Sequence, residues 1–102
     1  MTYFLNKKNL DGITSDADGL AINTTRYKEK TVFTIVSGNT GAVTVKIQGS
    51  ADGSNWAELN SVTYTATNTT ADFNVNDYMP KMRTITDTQS NSTVSTTITG
   101  RE

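Results

Sequence analysis

The chain has 102 residues, nine Lys and Arg against ten Asp and Glu for a net charge of −1, one Pro, and neither Cys nor His. That excludes a disulfide framework, a Cys/His zinc site, a haem ligand and any His-based catalytic triad. There is no apolar run of the ~18 residues a membrane helix needs, and a near-neutral balance gives no electrostatic reason to hold a nucleic-acid backbone.

Composition points to a shape more than to a chemistry. Thr (20), Asn (10) and Ser (8) dominate, while Leu, Ile, Val and Phe together number 20. β-Branched residues suit a pleated, half-buried surface, and helical periodicity is nearly absent. Residues 1–16 alternate poorly: Tyr3-Phe4-Leu5 is followed by Asn6-Lys7-Lys8-Asn9, then by Asp11-Gly12 and Ser15-Asp16. They read as an arm outside a domain spanning 17–102. The apolar patch precedes the lysines, the reverse of a secretory signal's order, so no signal peptide is expected. Burying a large apolar side chain contributes roughly 1.5–3 kcal/mol. Tyr3, Phe4 and Leu5 therefore gain by docking, and docking on another chain is favoured over docking on the chain's own domain.

Beyond the arm, Leu20-Ala21-Ile22-Asn23 reads as a first short strand. Arg26, Lys28, Glu29 and Lys30 form a mixed charged face, expected in solvent or at a rim. Thr31-Val32-Phe33-Thr34-Ile35-Val36 is apolar on both parities, which predicts a strand covered on both sides. Ser37-Gly38-Asn39-Thr40-Gly41 is expected to close a hairpin from it to the next strand. That strand, Ala42–Gly49, alternates most clearly, with Val43, Val45 and Ile47 on one face. A turn at Ala51-Asp52-Gly53-Ser54-Asn55 leads to Trp56. Val62-Tyr64-Ala66 and Ala71-Phe73-Val75 alternate too, with turns at Thr67-Asn68-Thr69 and Asn76-Asp77. Pro80, lacking an N–H, belongs at a strand's start or on an edge, and Met82–Thr86 follows it. After a last turn at Gln89-Ser90-Asn91-Ser92, Thr93–Gly100 points Val94, Thr96 and Ile98 inward. Val43/Val94, Ile47/Ile98 and Gly49/Gly100 form a faint echo between 37–49 and 88–100, as two strands under similar demands would. Seven to eight short strands at this spacing predict an all-β, single antiparallel β-sandwich, immunoglobulin-like or jelly-roll.

Candidate chemistry is sparse. Asp16-Ala17-Asp18-Gly19 and Asp52-Gly53-Ser54-Asn55 have the flavour of calcium loops, but Tyr27 and Thr63 stand where the twelfth-position Glu is needed. No metal or cofactor is expected. Glu29, Glu58, Glu102, Asp72, Asp77 and Asp87 read as solvated carboxylates, with no apolar pocket to raise a pKa for acid work. Nucleophile-elbow, Walker and Gly-x-Gly-x-x-Gly patterns are absent, so an enzyme is not expected. Trp56, Tyr64 and Tyr78 could form an aromatic platform for sugar, although a lone Trp after a hairpin turn is more often core. Arg83 is expected to pair with an Asp or cap an interface.

Gly49-Ser50-Ala51-Asp52-Gly53-Ser54-Asn55-Trp56, reading as strand then GS-x-DG-x-x-W, is followed by Tyr78-Met79-Pro80-Lys81-Met82-Arg83 and a closing strand ending Ile98-Thr99-Gly100. Over roughly 31–100 this resembles the small β-sandwich virion proteins of tailed bacteriophages, of the capsid decoration (cement) and neck or fibre accessory kind. The resemblance implies a structural protein with no catalytic residues, bound to the major capsid protein or another virion protein. It also implies a homo-oligomer, with a trimer favoured to match local three-fold positions. Tyr3, Phe4 and Leu5 would then anchor the chain, and Lys7 and Lys8 would meet acidic capsid surface. The alternatives are a tail, neck or fibre component, or a carbohydrate-binding module serving adsorption.

Overall fold

The computed structural model describes residues 3–38, 41–66, 68–76, 78–87, 89 and 92–102, of which 68–73 are described by their backbone. Eight strands form: β1 (Phe4–Ile13), β2 (Ile22–Asn23), β3 (Glu29–Ser37), β4 (Val43–Ser50), β5 (Ala57–Tyr64), β6 (Asn68–Val75), β7 (Lys81–Asp87) and β8 (Thr93–Arg101). They make two four-stranded sheets, ordered β1-β8-β3-β6 and β2-β7-β4-β5. All strand pairs are antiparallel. The pairs β1–β8, β2–β7, β3–β6 and β4–β5 alternate between the sheets, as if one long ribbon had been wound round itself. That winding is the jelly roll, which decides between the two sandwich topologies expected.

The winding corrects one connection. The segment 37–41 does not close a hairpin, because β3 lies in one sheet and β4 in the other. The hairpin is β4–β5, in register from Val43↔Tyr64 to Gly49↔Ala57. Asn39 and Thr40 lie outside the described residues, as do Thr67, Asp77, Ser90 and Asn91 of the other expected turns. Asn68 and Thr69, expected in a turn, belong to β6.

The expected arm is also corrected. Phe4–Ile13 is an edge strand paired with β8 from Phe4↔Arg101 to Ile13↔Val94. Leu5 and Leu10 are buried, and Leu5 belongs to the main core cluster. Register shifts at Lys8/Leu10 and Leu10/Ile13 interrupt the pairing. Each shift breaks the period of two, so the sequence shows no alternation where a strand exists.

Inward positions build two apolar clusters. One joins Leu5, Val32, Ile47, Val75, Met82 and Ile98. The other joins Val36, Val43, Val45, Tyr64 and Val94. The inward residues between them along β3, β7 and β8 are Thr34, Thr84 and Thr96, all fully buried. The Leu10 N–H donates to Thr96 Oγ1 at 3.1 Å, and Thr84 Oγ1 donates to Asn9 Oδ1 at 2.7 Å. Asn9 Oδ1 also accepts the Thr84 N–H at 2.6 Å, and Asn9 Nδ2 donates to the Leu20 carbonyl at 2.7 Å. Gly19 makes room for this: a Cβ there would sit 1.9 Å from Asn9 Oδ1.

β3 is covered on one face only. Val32, Thr34 and Val36 are buried, whereas Phe33 and Ile35 are 40% and 50% exposed. Lys30, expected in solvent or at a rim, takes the buried parity of Val32 and is 1% exposed. Its Nζ is satisfied by the carbonyls of Tyr27 at 2.8 Å and Lys28 at 3.3 Å. Pro80 stands just before β7 as expected, and its carbonyl accepts the Thr24 N–H at 2.8 Å.

Candidate interaction surfaces

The predicted anchor residues are split by the pleat of β1. Leu5 points into the core, while Phe4, 71% exposed, faces outward beside the Arg101–Glu29 pair at 2.5 Å. Tyr3 lies under Arg26, whose Cζ is 4.0 Å from the ring centroid. Arg26 also reaches Glu102, with Nε 3.9 Å from Oε2. Lys8 pairs with Asp11 at 3.4 Å, both side chains being largely solvated. Lys7 has the core-facing parity of Leu5 and pairs opposite the buried Ile98, yet is itself exposed. It has no ion-pair partner among the described residues.

Lys7 emerges into a groove on the open side of the sandwich, between the edges β1 and β2. This groove of about 470 Å³ is lined by Leu5, Lys7, Lys8 and Asn9 on one wall, and by Leu20, Ala21, Ile22, Asn23 and Tyr27 on the other. No acidic side chain lines it among the described residues. Leu20 stands at its lip, 85% exposed. β2 is only two residues long, so little backbone closes this side.

The proposed aromatic platform does not assemble. Tyr64 is buried in the second apolar cluster, because it holds the inward parity at the end of β5. Tyr78 is exposed, beside an apolar pocket that includes Leu59, Met79 and Pro80. Trp56 is half-buried, outside both core clusters, on the outer face of the β2-β7-β4-β5 sheet. Arg83 lies over its ring, 4.3 Å from the centroid. The Arg83 Nε donates to Gln48 Oε1 at 2.8 Å, so its partners are a ring and an amide rather than the expected Asp. Beside them Lys46 lies between Glu58 at 3.9 Å and Asp87 at 3.6 Å.

The Asp52-Gly53 segment serves a turn, whereas Asp18-Gly19 runs alongside β7, with Asp18 bridged to Ile85 and the Gly19 N–H donating to the Thr84 carbonyl. Asp52 Oδ1 accepts the N–H groups of Ser54 and Asn55, both at 2.8 Å. These bonds, with those from the Asn55 and Ser50 side chains, hold the Asp52 carboxyl far below its ordinary range. Gly53 takes φ +82°, a region that favours glycine. Asp16 accepts the Gln89 N–H at 2.7 Å. Among the described residues, no group of three or more acidic, His or Cys side chains is placed to hold a metal ion.

The fold and its surfaces define a small all-β jelly-roll module with open faces and shallow grooves. Its fold is similar to that of the SPBc2 prophage-derived protein YomS, with a TM-score of 0.75 and 11% identity over 100% of this chain and 96% of that one. A looser likeness, with a TM-score of 0.46 and 9% identity, covers 98% of this chain and 85% of the Yersinia pseudotuberculosis-derived mitogen. No protein-family model matches the chain, and no curated protein matches its sequence.

Sequence reasoning missed the groove and the Trp56–Arg83 stack. Both join residues from different strands, and neither leaves a local motif. The available signal for the groove was Leu20, a large apolar residue directly after Gly19.

Proposed function

We propose that this protein is a non-enzymatic structural component of a tailed-phage virion, and specifically a capsid decoration protein. It would bind the lattice of the major capsid protein and oppose its expansion under DNA pressure. The observation that carries this reading is the end-to-end fold likeness to a prophage-derived protein of nearly the same length. Two features of the surface support it. Large apolar side chains stay in water at Phe4, Leu20, Phe33 and Ile35, as expected where a partner covers them. Thr93, Ser95, Thr97 and Thr99 take the outward parity of β8, and hydroxyl-rich faces form hydrogen-bonded contacts without desolvating charge. Synthesis in the host cytoplasm, assembly onto the capsid exterior and a trimer at local three-fold positions belong to the same proposal.

The test is the composition and imaging of purified virions of the phage that encodes the chain. The protein should be detected by mass spectrometry, and cryo-electron microscopy should place jelly-roll density on the head. Density at the neck, tail or fibre would keep the virion role and reject decoration. Absence from virions would reject both.

A further inference from the structure

We propose that the groove between β1 and β2 docks an extended acidic–apolar segment of a neighbouring virion protein. An apolar side chain would seat against Leu20 and Ile22, and a carboxylate would pair with Lys7 Nζ. This rests on the virion role proposed above and names the surface and the partner chemistry.

Charge decides the occupant. Lys7 and Lys8 bring two positive charges to the groove, and Asp11 offsets that of Lys8. Lys7 is left with no counter-ion among the described residues, in a groove whose opposite wall is Leu20, Ala21, Ile22 and Tyr27 with the uncharged amide of Asn23. An apolar segment alone would bury that ammonium unpaired, which is costly. A segment bearing Asp or Glu next to an apolar side chain satisfies both surfaces.

The edge itself argues for side-chain docking. A charged residue at a core-facing position and interrupted register both resist strand addition. β1 has both, in Lys7 and in the shifts at Lys8/Leu10 and Leu10/Ile13. The segment is therefore held across the opening by its side chains rather than by a continued ladder.

The experiment uses heads purified without this protein, to which full-length protein is added back. Leu20→Ser and Lys7→Gln alter exposed side chains, and an unchanged urea midpoint confirms that the fold is intact. Leu20→Ser should weaken head binding roughly tenfold, by loss of one buried apolar side chain. Lys7→Gln should weaken it about fivefold and flatten its dependence on salt. A photo-crosslinker at position 20 should capture another virion protein through a peptide containing Asp or Glu. If the wild-type protein binds heads and both variants bind equally well, the groove assignment fails alone. Crosslinking to a second copy of this chain, or to a peptide without a carboxylate, also overturns it. If the wild-type protein binds no head, the decoration reading fails and the groove assignment falls with it.

Discussion

The hydroxyls of Thr84 and Thr96 meet at 2.6 Å across the space between the two sheets. Their direction follows from the neighbours. Thr84 gives its proton to Asn9 Oδ1, so Thr96 must donate to Thr84 while accepting the Leu10 N–H. β7, β8 and β1 are thereby joined by one chain of hydrogen bonds through an otherwise apolar interior. Buried polar groups are tolerable only when satisfied, and this chain satisfies a backbone N–H that the irregular pairing of β1 would otherwise leave unpaired.

Substitution by valine separates these roles. Thr96→Val should lower stability by about 1–3 kcal/mol, because it orphans the Leu10 N–H. Thr84→Val should cost less, since the Thr84 N–H still reaches Asn9. Thr34 Oγ1 has no partner among the described residues, so Thr34→Val should be neutral or stabilising. Urea unfolding of the three variants measures the order.

Leu5 distinguishes an edge strand from an arm. As a core residue, Leu5→Ala should cost about 2–5 kcal/mol. Phe4→Ala, on the solvent side of the same strand, should change the thermal midpoint little. An arm docked on another chain would instead give two small effects in the isolated protein.

Trp56 should behave as a rim residue. Trp56→Ala should cost about 1–2 kcal/mol, from partial burial and the lost cation–π contact, against about 3–5 for a core aromatic. Arg83→Ala should alter Trp56 fluorescence while the fold is kept, which spectroscopy on the folded protein checks.

Asp52 sets an acid dependence. Its hydrogen bonds favour the carboxylate, so its pKa in the folded chain lies below the ordinary 3.8. A lowered pKa contributes stability that is present above the unfolded value and is lost as pH falls below it. Stability should therefore decline as pH drops below about 3.8, and Asp52→Ala should flatten that decline. Unfolding midpoints from pH 7 down to 2 read it directly.

What the sequence revealed depended on how regular each strand was. β4 and β8 were legible residue by residue, because unbroken alternation puts Val43, Val45 and Ile47, and Val94, Thr96 and Ile98, on the inner faces. Their echo has a structural reason: each lies between two neighbours in its sheet, and each has a glycine under a side chain as its last residue but one. Met79 covers Gly49 and Tyr27 covers Gly100. β1 was illegible because its register shifts reset the period. Lys30 was misplaced because charge is a poor guide where backbone carbonyls can cap an ammonium. Phe33 and Ile35 were read as covered, yet they face outward, which marks a surface a single chain leaves open. The link between β3 and β4 was misread because a turn's local chemistry does not say whether it stays within a sheet or crosses to the other one.

We propose that the protein acts by binding a viral head and reinforcing it. Heads assembled without the protein, filled with DNA and heated with and without added protein, give the direct measurement. The protein should co-sediment with the heads and raise the temperature at which DNA escapes. Heads that bind none of it and release DNA at the same temperature would rule out a decoration role.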